Sequence, residues 1–140
     1  MSLETMPRVA LANLPTPLQE ASRLSAALGG ARILIKRDDL TGLALGGNKA
    51  RKLEFAMAAA KQKGADCIIT TGSSQSNHAS QTAAAAAKLG MKTYLVLFRG
   101  EHPEIQGNRL LYDLYNAHVE IAGETNLDLP KVMKRIDDLA

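Results

Sequence analysis

The sequence predicts an α/β fold in which a parallel sheet carries helices on both faces. Two observations predict it: short apolar, β-branched runs alternate with helix-like segments along the 140 residues, and the connections between them are short. That alternation is typical of successive βαβ units, which build parallel sheets. The composition, 46% hydrophobic and 22% charged, agrees with a globular chain of this class.

The first part of the chain is predicted to hold a helix, a strand and a loop. Apolar residues recur at three- and four-residue spacing at Leu18, Ala21, Leu24 and Leu28. We therefore expect a helix over 17–28, ended by two glycines. The β-branched run 33–35 is expected to be a short buried strand, and the glycine-rich segment 40–48 a loop.

From residue 49 onward the alternation is regular. Strong helix formers and a following glycine predict a helix over 49–63. The expected order continues as strand 67–71, helix 76–89, strand 93–98, helix 108–115 and strand 118–121. A last amphipathic helix is expected after Asp128 as N-cap, with Pro130 tolerated in its first turn.

Charge and cysteine content limit the partners and the compartment. The net charge of +3 is spread along the chain without a basic run, so nucleic acid is not an expected partner. The single cysteine, Cys67, lies in an apolar run and is expected to be a small core residue, which fits a reducing compartment. With no apolar stretch of membrane-span length and no signal-peptide pattern, we expect no membrane partner and a cytoplasmic location. No metal ion is expected.

Two segments have the residue types of a ligand site at the carboxyl edge of a parallel sheet, where helix N-termini point N–H groups at anions. They are Gly46-Gly47-Asn48-Lys49-Ala50-Arg51-Lys52 and Thr71-Gly72-Ser73-Ser74-Gln75-Ser76-Asn77-His78. The first is not a P-loop, because Asn48 and Ala50 stand where glycine and serine or threonine are required. No GxGxxG follows a strand, so ATP and NAD sites are not favoured.

Taken one at a time, these residues have ordinary interpretations. Lys49 alone is more often a solvated lysine at a helix start than a nucleophile. Ser76 and Asn77 are good helix N-caps. His78 alone is more often a first-turn histidine than a proton carrier, and the acidic pair 38–39 suits a turn with salt bridges.

The combination of motifs changes this interpretation. Lys36-Arg37-Asp38-Asp39, the glycine segment through Glu54, and Gln75-Ser76-Asn77-His78 follow one another in order. Together they resemble the D-cysteine desulfhydrase and 1-aminocyclopropane-1-carboxylate (ACC) deaminase family of pyridoxal 5'-phosphate (PLP) enzymes. The segments 14–18 and 107–111 extend the resemblance over most of the chain. The family has fold type II, the tryptophan synthase beta-like fold.

The resemblance implies roles for individual residues. Lys49 would bind PLP covalently and then act as the base at the substrate Cα. Asn77 would hydrogen-bond the ring hydroxyl of the cofactor, Lys52 would reach its phosphate, and Asn48 would also lie at the cofactor. Ser76 would face the substrate as a second catalytic residue. The substrate carboxylate would be received by the turn formed by Ser73, Ser74, Gln75, Ser76, Asn77 and His78.

The implied function is a PLP-dependent lyase for a small amino acid, first of all D-cysteine, converted to pyruvate, sulfide and ammonia. ACC deamination and elimination of sulfite from cysteate remain as alternatives, as does a PLP-dependent β-replacement synthase. A non-catalytic domain that binds an anion or a partner protein is the alternative outside enzymology. A homodimer is expected from the habit of the family.

Two departures from the family pattern stand out. Family members are much longer, so we expect an incomplete enzyme in which residues 1–53 belong to a large PLP domain and residues 54–140 form a small α/β domain. Family members also often carry an apolar residue before the Gln-Ser-Asn triplet and an arginine shortly after the histidine. This chain has Ser74 and Ser80 there, which leaves the substrate open.

Overall fold

The computed structural model describes residues 2–101 and 104–140, which form five strands and five α-helices. In chain order these are β1 (Leu18–Glu20), α1 (Ser22–Leu28), β2 (Leu34–Lys36), α2 (Lys49–Gln62), β3 (Cys67–Ser73), α3 (Asn77–Lys88), β4 (Lys92–Phe98), α4 (Asn108–Leu114), β5 (His118–Gly123) and α5 (Leu129–Leu139). Short 3₁₀ turns lie at Leu3–Thr5, Asp38–Thr41 and Asn126–Asp128.

Strands β3, β4 and β5 form a parallel sheet with β4 in the centre. Successive side chains of β4 point to opposite faces, as the pleat of a strand requires. Leu95 and Leu97 pack with Tyr112 and with alanines of α3, whereas Val96 and Phe98 pack against Val132 of α5. The expected parallel sheet with helices on both faces is therefore confirmed.

Helix α2 packs against α3 and the N-terminal segment. Its apolar residues share a cluster with Leu11, Leu43 and two alanines of α3, and the members on α2 are Ala50, Leu53 and Met57. Four of the five alanines over 83–87 are buried, and their small side chains allow neighbouring elements to approach α3 closely. This packing brings the start of α2 beside α3.

The prediction of a helix over 17–28 is wrong for its first residues. Leu18–Glu20 form β1, which pairs antiparallel with β2 so that Gln19 lies opposite Ile35, and α1 begins only at Ser22. Cross-strand hydrogen bonds to β2 satisfy this backbone, and Ser25 Oγ accepts a 2.9 Å bond from the Ile33 N–H. A pairing partner 16 residues away is not visible in local spacing.

The expected burial of the first strand is also wrong, because Leu34 and Ile35 of β2 are 46% and 44% exposed. Strands β1 and β2 form a two-stranded sheet, and among the described residues no further layer covers these two side chains. Cys67 is half-buried rather than enclosed in the core. Asp128 precedes α5 as expected, with Pro130 in its first turn, but its carboxylate accepts bonds from the N–H groups of Glu124 and Thr125 instead of capping the helix.

None of the described helices is long and apolar enough to cross a membrane.

Candidate active site

The loop before α2 requires glycine for steric reasons. Gly46 has φ of 80°, and a Cβ built on it would lie 1.9 Å from the carbonyl oxygen of Asp39. The N–H of Gly47 donates to the carbonyl oxygen of Asp38 at 2.8 Å and is 2.9 Å from Thr41 Oγ1. The glycine pair is therefore folded tightly onto the 3₁₀ turn before it, and this fixes where α2 begins.

Lys49 is the first residue of α2, and Lys52 follows it by about one turn. The Lys49 side chain is half-buried, whereas Lys52 and the N-cap residue Asn48 are exposed. The Asn48 side chain makes no capping hydrogen bond. Two lysines thus lie in the first turn of α2, as the sequence predicted.

Arg51, the third cation of this turn, is occupied elsewhere. Its guanidinium donates to both carboxylate oxygens of Asp38, at 2.6 and 2.8 Å, and to Thr16 Oγ1 at 2.8 Å. The hydrogen bonds from Arg51 and Thr16 hold the pKa of Asp38 well below its usual range. Arg51 is therefore a structural clamp between α2 and the turn at Asp38.

A second anchor of α2 is the buried carboxylate of Glu54. Its Oε1 accepts from the N–H groups of Leu11 and Ala12 at 3.0 Å, and Oε2 pairs with Arg8. Burial raises the pKa of Glu54, but the bonds from Ala12, Leu11 and Arg8 outweigh it, so the pKa lies below its ordinary value. The helix is thus tied to the N-terminal segment just beyond the two lysines.

The polar turn predicted at 73–78 joins β3 to α3. Ser76 is the N-cap of α3, and its Oγ accepts a 3.2 Å bond from the Ala79 N–H. The first-turn N–H groups of Asn77 and His78 have no partner within the helix by the geometry of a helix start. Together with the helix dipole they make this turn suited to an anionic group.

Helix α4 holds the polar turn in place. Gln75 Oε1 accepts a 3.0 Å bond from the Asn108 N–H, and Asn108 Nδ2 donates to the carbonyl oxygen of Gln75 at 2.9 Å. The same Nδ2 lies 2.8 Å from Asn77 Oδ1, and the Tyr112 hydroxyl donates to the carbonyl oxygen of Ser76. Because Asn77 uses its oxygen as the acceptor, its amide NH₂ is the group left to donate to a ligand.

An open pocket of about 590 Å³ lies at the carboxyl edge of the sheet and is lined by Ser73, Ser74, Gln75, Phe98, Gly100, Glu101, Glu124 and Thr125. Ser73 is exposed there. Ser74 is 1% exposed, and its hydroxyl donates a 2.6 Å bond to the carbonyl oxygen of Arg99. The side chains of Ser74 and Gln75 therefore brace the turn against neighbouring elements, while Ser73 faces the pocket edge.

His78 lines a different cleft from this pocket. Its Nε2 is 3.4 Å from Thr70 Oγ1 and its Nδ1 is 3.4 Å from Thr82 Oγ1. The ring lines a cleft of about 190 Å³ between α2, β3 and α3. Burial, and then the positive charges of Lys52 and Lys49, lower the pKa of His78. Because such charge effects act over short distances, both lysines lie near the start of α3.

The structure thus brings together the two segments singled out in the sequence. The lysine-bearing start of α2 adjoins the first turns of α3, and α4 supports the polar turn from the other side.

Sequence reasoning assigned no role to Gln81, whose Nε2 donates a 2.9 Å bond to the carbonyl oxygen of Gly46. A glutamine two residues before the alanine run 83–87 was the signal that could have found it. No group of side chains suited to a metal ion occurs within residues 2–101 and 104–140.

Comparison with known proteins identifies the family. Residues 9–138 match the family described as pyridoxal-phosphate dependent enzyme. The chain is 52% identical over 129 residues to a D-cysteine desulfhydrase of Klebsiella pneumoniae subsp. pneumoniae, covering 86% of this chain and 39% of the relative. It is 50% identical over 124 residues to a D-cysteine desulfhydrase of Salmonella paratyphi B, covering 85% and 38%.

A solved structure described as an ACC deaminase homologue superposes with a TM-score of 0.88 at 41% sequence identity, covering 99% of this chain and 41% of that one. The chain therefore spans about two fifths of the length of the relatives it matches. The expected cofactor is confirmed at the level of the family, whose members depend on PLP. The match over residues 9–138, with these relatives and this fold, shows that the chain belongs to the pyridoxal-phosphate-dependent enzyme family.

Proposed function

We propose that this chain supplies the lysine-bearing part of a PLP-dependent lyase that acts on a small amino acid, with D-cysteine as the first candidate. The observation that supports the proposal is that Lys49, the first residue of α2, lies near the start of α3, since its charge lowers the pKa of His78, and Asn77 stands in the first turn of α3. The identity of about 50% to enzymes named D-cysteine desulfhydrase supports the substrate.

The residues present fit the cofactor. Lys49 is a primary amine at the start of a fixed helix, which suits covalent attachment to an aldehyde. Asn77, with its Oδ1 engaged by Asn108, offers an N–H donor to the ring oxygen of PLP. Lys52, exposed one turn after Lys49, would reach toward the phosphate, and Asn48 would line the cofactor edge. Bound PLP would supply the electron sink that stabilises negative charge at the substrate Cα.

The chain's own residues then have defined tasks. The free N–H groups at the start of α3 would bind the substrate carboxylate, together with the turn from Ser73 to His78. Lys49 Nζ would remove the proton from Cα, and Ser76 would face the reacting substrate. In the overall reaction the Cα–H and Cβ–S bonds break, and sulfide leaves with a proton. Water then replaces the amine, so that D-cysteine and water give pyruvate, ammonia and hydrogen sulfide.

The structure offers one argument about the competing substrates. Ser74, found where family members often carry an apolar residue, is buried and bonded to the Arg99 carbonyl oxygen, so it does not present a new polar group to the substrate. ACC and cysteate remain second candidates, and the solved relative described as an ACC deaminase homologue favours keeping ACC.

Organisation and location form part of the same proposal. We propose that residues 1–53 belong to a large PLP domain and residues 54–140 to a small one, within a longer cytoplasmic homodimer. Cys67, a free cysteine, supports a reducing compartment, and the resemblance to the family supports the dimer. Helix α2 runs through the proposed boundary without a break, so both domains would share it.

The test is covalent trapping. The chain is incubated with PLP and reduced with borohydride, and the phosphopyridoxyl adduct is located by peptide mass mapping. We expect the adduct at Lys49 and its loss in Lys49→Ala. In the longer protein, Lys49→Ala is expected to abolish sulfide release from D-cysteine. Labelling scattered over the lysines, or unchanged sulfide release by the variant, would instead favour a domain that binds an anion without catalysis.

A further inference from the structure

Gln81 connects the two segments of the candidate site. It lies on α3, and its Nε2 donates a 2.9 Å hydrogen bond to the carbonyl oxygen of Gly46. Because Gln81 follows Asn77 by four residues, the two side chains stand on one face of the helix, one turn apart. A single side chain therefore joins the loop before Lys49 to the helix that presents Asn77.

The loop is shaped to receive this side chain. A Cβ built on Gly47 would lie 2.5 Å from Gln81 Nε2, and Gly47 has φ of 129°, which side chains rarely allow. Any residue larger than glycine at 47 would displace the amide from Gly46. The contact thus depends on both partners, the glutamine on α3 and the bare backbone at 47.

The contact is unfavourable for stability in one respect. Gln81 is 3% exposed, and its Oε1 is buried without a hydrogen-bond partner among the described residues. A buried acceptor left unpaired loses the free energy of its bonds to water. A methionine of similar length would remove the unpaired acceptor together with the bond to Gly46, so the two effects on stability oppose each other and the net change should be small.

We propose that Gln81 is a positioning residue for Lys49, an inference that rests on the function proposed above. Arg51 anchors the first turn of α2 to Asp38 and Thr16, but the N-cap residue Asn48 makes no capping bond with its side chain, so contacts of the loop such as the bond from Gln81 also set where the helix begins. By holding the carbonyl group of Gly46, three residues before Lys49, Gln81 sets where the lysine amine stands relative to the first turn of α3.

The test compares Gln81→Met with Gln62→Met, a matched control at the exposed end of α2. The full chain and both variants are titrated with PLP and reduced with borohydride, and adducts are quantified by peptide mass mapping. Thermal unfolding without PLP is measured in parallel. We expect Gln81→Met to unfold at about the same temperature, yet to need about tenfold more PLP for half-maximal labelling of Lys49. Labelling should spread to exposed lysines such as Lys52, and Gln62→Met should behave as the unchanged chain.

Gln81→Asn is a second variant, because it keeps the amide but is one methylene too short to reach Gly46. It should label Lys49 as poorly as Gln81→Met does. Undiminished Lys49 labelling in both variants would overturn the inference and leave the proposed function intact. Weaker labelling with a lowered unfolding temperature in Gln81→Met would also overturn it, since the role would then be packing. No Lys49 adduct in the unchanged chain would overturn the proposed function and this inference together.

Discussion

The side-chain amide nitrogen of Asn108 lies 2.8 Å from Oδ1 of Asn77 and 2.9 Å from the carbonyl oxygen of Gln75. Two oxygens from the polar turn therefore converge on one NH₂ group at the start of α4. This relationship orients the Asn77 amide, and it ties a short helix distant in sequence to the turn that begins α3.

Asn108→Asp is expected to disturb the site more than Asn108→Ala. Alanine removes two hydrogen bonds and should cost about 1–3 kcal/mol of stability. Aspartate places a carboxylate against two acceptor oxygens, so the turn should be repelled as well as released. Urea unfolding of the two variants measures the difference, and equal stabilities would show that the Asn108 side chain does not contact these oxygens in solution.

Gly46→Ala is expected to be far more damaging than Gly64→Ala. Both glycines have positive φ, 80° and 73°, but a Cβ at 46 meets the Asp39 carbonyl oxygen at 1.9 Å, whereas nothing lies within 4 Å at 64. Gly64→Ala should cost about 1–2 kcal/mol, the strain of the left-handed conformation alone. Gly46→Ala adds a backbone collision, so its loss of stability should exceed that amount and Lys49 labelling by PLP should fall. Thermal unfolding checks the first effect and adduct mapping the second.

Glu54→Gln is expected to destabilise the chain by about 1–3 kcal/mol. Glutamine keeps one oxygen for the N–H groups of Leu11 and Ala12 but removes the negative charge opposite Arg8. Because the folded chain lowers the pKa of Glu54, its contribution is present above the ordinary glutamate pKa of about 4.3 and is lost as the pH falls below it. Urea unfolding at neutral pH checks the size. A variant as stable as the unchanged chain would contradict it.

His78 should make the stability depend on pH in the range where carboxylates do not titrate. Its pKa is lowered in the folded chain, so the unfolded chain binds the proton more readily. The stability it contributes is therefore present above the ordinary histidine pKa of about 6.5 and is lost as the pH falls through that value. The groups around the ring are Lys49 and Lys52 from α2, Thr70 from β3 and Thr82 from α3.

The check is urea unfolding at about pH 8 and pH 5.5 for the unchanged chain and for His78→Gln. The unchanged chain is expected to lose more stability between the two values than the variant does. An equal loss in both would mean that protonation of His78 is not resisted by burial and by the lysines.

The regular part of the fold was predictable from local sequence. Helix α2 is indicated by strong helix formers and by Gly64 after its last turn. The strands from β3 onward are indicated by apolar runs that glycine or polar residues separate. Strand β1 was not predictable, because Leu18 fits a helical spacing with Leu24 and Leu28, and its pairing with β2 depends on residues far along the chain.

The sequence indicated the residues of the candidate site, which remain a prediction, but it did not indicate the contacts that support them. Lys49 and the Gln75 to His78 turn carry residue types that match a known family. The contacts that arrange them are tertiary: Thr70 and Thr82 around His78, and Gln81 on Gly46. Such contacts arise only when α2 is laid against α3, and no spacing rule within one segment encodes them.

The crowding at Gly46 and Gly47 also limits how this chain can evolve. Each position is closed by an atom from another part of the chain, the Asp39 carbonyl oxygen at one and the Gln81 amide at the other. A side chain at either glycine therefore requires a second change in the group that it meets. Sequence variation is therefore directed away from these two glycines and toward exposed positions such as Ser73.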